Sequence, residues 1–512
     1  METESRTKNV FKNMKIGLIC QMILLAMSFI SRTIFVRTLG AEYLGISGLF
    51  TNILTVLSFA ELGIGDAVIF SMYKPIAEDD KNKIASLVEL YRKMYTYVGM
   101  FVLSAGIIVA PFLKYIIKEE LEIPENLTLI YLLFVFNVSL SYFFVYRQSI
   151  ITAHQKGYVV STYQMICTLI VNISQIVELI LLKNYILFLI IQIVGTLLCN
   201  YMLARKSKKM YPYTCTKQKY NIPQIEVKRI LSDIKSLFVY KIGSVILNGT
   251  DNILISSLIG VSVVGLSSNY FLITSAFETV MNKIKGAFVA SIGNLNVEAD
   301  NQKKESIFNK VFLFIEWLYG LLAIGFLLLG NEVIELWLGD KYKLPFLAVI
   351  AISINLYVTG VHYTAYTYRT TLGLFKEGQL APIIAATVNL CLSIVLAKPL
   401  GVAGIFIATP IARMVGMGVI DPILIYKKAF KAKPIKYYIM YVKGVIINVS
   451  ITLLCYFILN QMNSTSIVWL LIKIMVIFAI YNSIKAIINM NNNSFKELLI
   501  LVFKKIGVKT NA

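Results

Sequence analysis

The chain has 512 residues, 57% of them hydrophobic and 15% charged, with a mean hydropathy of +0.72 and a formal charge of +21. That apolar share exceeds the roughly 45–50% typical of soluble domains, and a bilayer absorbs it where a soluble core does not. The basic excess is no nucleic-acid footprint, because most of the Lys and Arg fall in gaps on one side of a ladder of apolar segments.

In chain order, the polar gaps predict about fourteen helices, near 14–36, 44–73, 94–113, 127–146, 158–182, 185–204, 236–258, 264–282, 311–330, 345–368, 379–397, 402–426, 438–460 and 466–488. The first is a retained helix and not a cleaved leader, since it carries Arg32 and Arg37 and lacks a small-x-small cleavage site. With the N-terminus inside, Lys and Arg gather on cytoplasmic segments, and an outward loop carries Glu119, Glu120, Glu122 and Glu125. The positive-inside rule then fixes the orientation, with both termini cytoplasmic. The six cysteines form no CxxC pair, and with only His154 and His362 no metal-ligand spacing arises.

The largest cytoplasmic break, 205–235, follows six helices and includes Arg205-Lys-Ser-Lys-Lys209. It divides the chain into 1–204, a first six-helix lobe, and 236–428, a second. Helices 13 and 14 and a cytoplasmic tail follow over 429–512, as an appendage. A repeat supports the division. Gly40-Ala-Glu-Tyr-Leu-Gly45-Ile-Ser47 lies 220 residues before Gly260-Val-Ser-Val-Val-Gly265-Leu-Ser267. Six is even, so the halves share one orientation and are related by a pseudo-two-fold along the membrane normal. The expected fold is therefore all-α and integral to the membrane, with two facing bundles and two extra helices.

Polar residues inside such helices are costly toward lipid and mark cavities or helix contacts. Residues seven and eleven apart return to one helical face, which aligns Gln21, Ser28 and Arg32 on the first helix. Adding 220 gives Lys241, Asn248 and Asn252 on the seventh, with Asp251 beside them. For Arg32, Lys241 and Asp251 the cavity reading outweighs simple helix–helix hydrogen bonding. Glu61 and Asp66 sit about 140° apart around the second helix, so only one can point into a given cleft. Glu61 is expected there, with Asp66 pairing loop lysines. Arg413 falls near the middle of the twelfth helix, where an unpaired guanidinium is least tolerable. Lys473 is expected to snorkel outward, Glu178 and Glu278 to be interfacial, and Arg37, Arg369 and Lys398 to border water. His154 and His362 read as packing or boundary residues.

No catalytic constellation emerges. There is no GK(S/T) phosphate loop, so an ATP-driven pump is disfavoured, and no nucleophile elbow. No cofactor is implied, and the chain reads as a transporter, not an enzyme.

The chain resembles the Wzx-type polysaccharide flippases of the multidrug/oligosaccharidyl-lipid/polysaccharide (MOP) exporter superfamily. The resemblance is carried by Ser31-Arg-Thr-Ile-Phe-Val-Arg-Thr-Leu-Gly40, Leu57-Ser-Phe-Ala-Glu-Leu-Gly-Ile-Gly-Asp-Ala67 and Thr250-Asp-Asn-Ile-Leu-Ile-Ser256. Leu336-Trp-Leu-Gly-Asp-Lys-Tyr342, Tyr368-Arg-Thr-Thr-Leu-Gly373 and Gly401-Val-Ala-Gly-Ile-Phe406 continue it. It implies a two-lobe fold around a cationic cavity in a bacterial inner membrane. It further implies a substrate of undecaprenyl-diphosphate-linked oligosaccharide, moved outward for O-antigen, capsule or exopolysaccharide synthesis. A proton or sodium ion would couple the cycle, and a polysaccharide polymerase and chain-length regulator would be partners. The related lipid II flippases carry essential first-helix arginines, whose counterpart here is Arg32. Three rivals share features of the sequence. A cation-coupled drug exporter would want a net acidic cavity, a lipid II flippase would share most of the chemistry, and a polymerase would need longer outer loops.

Overall fold

The structure, a computed structural model, describes residues 6–61, 64–117, 123–215, 222–228, 249–298, 301–372, 374–462 and 466–490, with a few isolated positions besides. All regular structure among the described residues is helical. Eleven described helices are long and apolar enough to cross a membrane, and two shorter apolar ones accompany them. The chain is a multi-pass membrane protein. Contacts group it into two compact units, Met1–Ser268 and Asn269–Ala512. This division falls later than the basic break over 205–235.

In the first unit the helices are α1 (Arg6–Leu39), α2 (Ala41–Leu57), α3 (Ile64–Ala77), α4 (Lys81–Val109), α5 (Leu127–Ala153), α6 (Gly157–Leu181), α7 (Tyr185–Met210) and α8 (Asp251–Leu258). Short polar side chains start several of them. Asp80 accepts from the Lys83 amide, Asn126 from Thr128 and Leu129, and Asn184 from Leu187, each satisfying amides that the helix leaves orphaned. The expected single helix over 44–73 is instead α2 and α3, parted by a 3₁₀ segment at Ser58–Glu61. Thirty residues exceed the roughly twenty that span the hydrocarbon, and Gly63 and Gly65 follow the break. α1 packs on α6, α4 on α5, and α5 and α6 on α7.

The repeat acquires geometry here. Gly40 (φ +91°) turns α1 into α2, and Gly260 (φ +151°) turns α8 into α9 (Val261–Glu298); both values favour glycine. A Cβ on Gly45 would lie 2.1 Å from the Val261 carbonyl oxygen, and one on Gly265 would lie 2.1 Å from that of Ala41. Each repeat thus presses its second glycine against the other's first helical residue, a reciprocal contact of equivalent positions. A side chain at either glycine would force the backbones apart.

The second unit continues α9 and adds α10 (Asn301–Leu338), α11 (Phe346–Thr371), α12 (Leu380–Leu400), α13 (Val402–Val415), α14 (Met417–Ile425), α15 (Ile435–Leu459) and α16 (Ile467–Asn489). α13 and α14 are one expected helix broken at Gly416. Pro410 and Pro422 flank the break, and proline removes the amides that would carry a helix through. α15 wears its polarity inside out. Ile439, Val442, Ile446, Val449, Leu453 and Phe457 are exposed, while Asn448 is buried, the pattern of a helix solvated by lipid.

Buried ion pairs hold this unit together. Lys485 of α16 donates to both Glu316 oxygens of α10 at 2.7 and 2.8 Å, and Asn448 and Tyr357 donate to the same carboxylate. Further along the same two helices, Lys473 donates to Glu332 at 2.9 Å. Lys473 is 6% exposed, which corrects the expectation that it snorkels outward. Glu278 lies inside α9, which runs on to Glu298. It accepts from Lys285 and Tyr319, both 2.9 Å away.

Candidate functional site

A cavity of about 280 Å³ opens within the first unit. α1 supplies Ser28, Ser31, Arg32 and Phe35, one continuous helical face. α2 adds Ser47 and Thr51, and α5 adds Phe134. α6 and α7 add Asn172, Phe188 and Gln192. Arg32 is the charged group of this lining, and its Nη1 donates to the Ser268 hydroxyl at 2.9 Å. Ser268 in turn donates to the Gly265 carbonyl at 2.7 Å, which ties the arginine to the repeat glycine. Ser47 shares a 2.6 Å hydrogen bond with Tyr185. Phe35 meets Tyr185 and Phe188 edge-on and gives the lining a rigid apolar side. Hydroxyls, two amides, one guanidinium and aromatic rings suit a ligand that joins an anion to sugar-like hydroxyls.

The other expected site residues scatter. Ser28 joins Arg32 as the helical period demands, whereas Gln21 is exposed and outside this lining. Glu61 lies on the 3₁₀ break, where Tyr95 donates to it at 2.9 Å beside a cluster of Tyr91, Tyr95 and Tyr142. It too is absent from the cavity lining. Asp251 opens α8 half-buried, and the Asn252 amide lies about 3.9 Å from where a Gly48 Cβ would sit. Lys241 and Asn248 lie outside the described residues, as does the side chain of Asp66. Arg37 is exposed near the end of α1. Arg369 does not border water, because it is 1% exposed and its Nε pairs with Asp421 at 2.9 Å. Arg413 lines a different cavity, in the second unit.

Asn172 and Gln192 were missed by the sequence reading. Each is an amide inside an otherwise apolar span, a signal that was available. His362, expected as a packing or boundary residue, has its Nε2 2.9 Å from Asp421.

The site is thus a polar cavity with one cationic group, lined by five helices of the first unit. The profile of the family described as polysaccharide biosynthesis protein matches residues 10–289, and the chain belongs to that family. Among solved structures it is similar to a lipid II flippase, MurJ, in an inward closed conformation. That likeness has a TM-score of 0.66 and 16% identity, over 93% of this chain and 99% of that one. It is similar also to a multidrug resistance MATE family transporter of the MOP superfamily in its inward-facing conformation. There the TM-score is 0.63 at 14% identity, over 79% of this chain and 96% of the other. The Vibrio cholerae MATE transporter VcmN in its bent form gives 0.54 and 14%, over 84% and 98%. No curated protein matches the chain.

Proposed function

We propose that the protein is a flippase for undecaprenyl-diphosphate-linked oligosaccharide, carrying it from the cytoplasmic to the outer leaflet of a bacterial inner membrane. The observation that carries this reading is Arg32 in a hydroxyl- and amide-lined cavity, in a chain of the polysaccharide biosynthesis family. A diphosphate cannot cross about 30 Å of hydrocarbon bare, so charge-assisted hydrogen bonds must replace its hydration. Arg32 offers a planar fork for that purpose, while Ser28, Ser47, Asn172 and Gln192 suit sugar hydroxyls. The polyprenyl tail stays in lipid. The protein performs no covalent chemistry. A proton or sodium gradient drives alternate exposure of the cavity to the two faces, and collapsing each gradient separately identifies the ion. A polymerase and chain-length regulator would receive the product. The family favours this substrate over a cationic drug, whose cavity would need a net acidic lining.

The test is the leaflet distribution of lipid-linked oligosaccharide. Arg32→Ala should trap it on the cytoplasmic side, and Arg32→Lys should keep part of the activity, since lysine retains charge but not bidentate geometry. Normal flipping by a well-expressed Arg32→Ala protein would exclude the mechanism.

A further inference from the structure

The second unit carries a polar helix face of its own. Among the described spans α11 is the most enclosed, with 61% of its central stretch buried against 22% for α15. What α11 leaves open is not apolar. From Asn355 onward the residues that keep exposure are Asn355, Thr359, His362, Tyr363, Tyr366 and the two threonines that end the helix. Asn355, Thr359, Tyr363 and Tyr366 follow one another at four, four and three residues, so they form one face. That face is about 16 Å long at the helical rise. α15 shows the opposite pattern, with Ile439, Val442, Ile446 and Val449 open to lipid. A polar stripe turned to hydrocarbon would be costly, so the open face of α11 borders water.

The charges around this stripe are answered within the unit. Lys285 of α9, 4% exposed, donates to Glu278 at 2.9 Å and sits 4.6 Å from the centre of the Tyr363 ring. Arg369 pairs with Asp421 and sits 5.6 Å from the centre of the Tyr366 ring. His362 is held by the same aspartate. Both cations are buried while both rings are half-buried, so the cations brace the rings from the protein side. The stripe therefore presents an amide, a hydroxyl and two aromatic surfaces, with the neighbouring charges already paired. An anion is not what such a surface selects, and a hydrocarbon tail would desolvate Asn355 and Thr359 without replacing their hydrogen bonds. A sugar ring suits both features, since its C–H face lies on an aromatic ring while its hydroxyls meet amides and hydroxyls.

We infer that this face of α11 is a glycan track, where the sugars of the lipid-linked oligosaccharide stack on Tyr363 and Tyr366 and hydrogen-bond with Asn355 and Thr359. The inference rests on the flippase reading for the identity of its ligand, but it uses neither Arg32 nor its cavity. The guanidinium answers the diphosphate, and α11 reads the sugars.

Saturation-transfer NMR on the full-length protein tests it. The probe is the repeat-unit oligosaccharide of the cell's own surface polysaccharide, freed from its lipid, with a polyethylene glycol of equal length as the control. The oligosaccharide should bind and the glycol should not. Tyr363→Leu should weaken that binding about tenfold, the scale of one aromatic contact, whereas Tyr363→Phe keeps the ring and should retain it. Thr359→Val exchanges a half-buried hydroxyl for a methyl group and should weaken binding about fivefold. That variant decides the matter if Tyr363→Leu fails to fold. Binding that is absent from the unaltered protein, equalled by the glycol, or indifferent to Tyr363→Leu and Thr359→Val would overturn the inference and leave the flippase reading standing. Glycan binding that depends on Tyr363, in a protein that moves no lipid-linked oligosaccharide, would sustain the track and overturn the flippase reading.

Discussion

At Arg32 one guanidinium nitrogen is committed to Ser268, and the surrounding cavity groups come from five helices. Its place on α1 was legible, because Ser28 and Arg32 are one turn apart. Asn172 and Gln192 stand out in the sequence as amides in apolar spans, but a single sequence does not say which cavity such an amide faces. They make a sharp prediction. Gln192→Leu removes a ligand-facing amide without breaking a described hydrogen bond, so flipping should fall about tenfold at unchanged folded yield, the scale of one lost hydrogen bond. Equal loss of protein and activity would reassign Gln192 to packing. His154 offers a different test, because it lies just beyond the end of α5. It stacks on Tyr211 at 4.4 Å and reaches the Tyr213 hydroxyl. Burial, helped by nearby Lys156, pushes it from its ordinary 6.5 down to about 4. Above pH 6.5 it is neutral whether folded or not. Between 6.5 and 4 only the unfolded chain takes the proton, so stability should decline as pH falls through that window and the His154 contribution should level off below it. His154→Phe keeps the stack, and should flatten that part of a melting-temperature profile.

Among the elements, the expected helices 158–182, 345–368, 379–397, 438–460 and 466–488 match the observed ends within about three residues, whereas α4 begins at Lys81, well before the expected 94. α9 and α10 run beyond their expected ends into polar residues, because a helix continues past the bilayer while a hydropathy signal does not. The breaks at Ser58–Glu61 and Gly416 escaped notice because apolar character continues across them. Pairings between helices were the least legible. Nothing in the chain says that Lys485 answers Glu316, 169 residues away. That pair and Lys473–Glu332 join α16 to α10. Lys485→Ala should strand a buried carboxylate and cost about 3–5 kcal/mol. Adding Glu316→Gln to Lys485→Met should restore most of the melting temperature, since the amide still receives Asn448 while the charge is gone. Failure of the double variant to recover would show that the attraction, not the stranded charge, dominates.

For the whole molecule, orientation is the remaining expectation, and it rests on charge placement alone. Cysteines at Pro124 and Gln461, both exposed, should react with an impermeant reagent from outside, while those at Lys208 and Lys431 should stay protected in intact cells. Reversal at any one site breaks the fourteen-helix ladder. The repeat was legible as a spacing of 220 residues, and its meeting face to face was not, since symmetry in a sequence does not say where the copies touch. The contact of Gly45 on Val261 and Gly265 on Ala41 is backbone against α-carbon, with neither charge nor titratable group at its centre. A joint of this kind is indifferent to salt, since its strength is dispersion and fit, beyond the reach of ionic screening. Amide exchange across 41–47 and 261–267 should therefore stay the same from dilute buffer to about 1 M salt, where surface ion pairs have faded. Gly45→Val should loosen both segments together, although only one was changed.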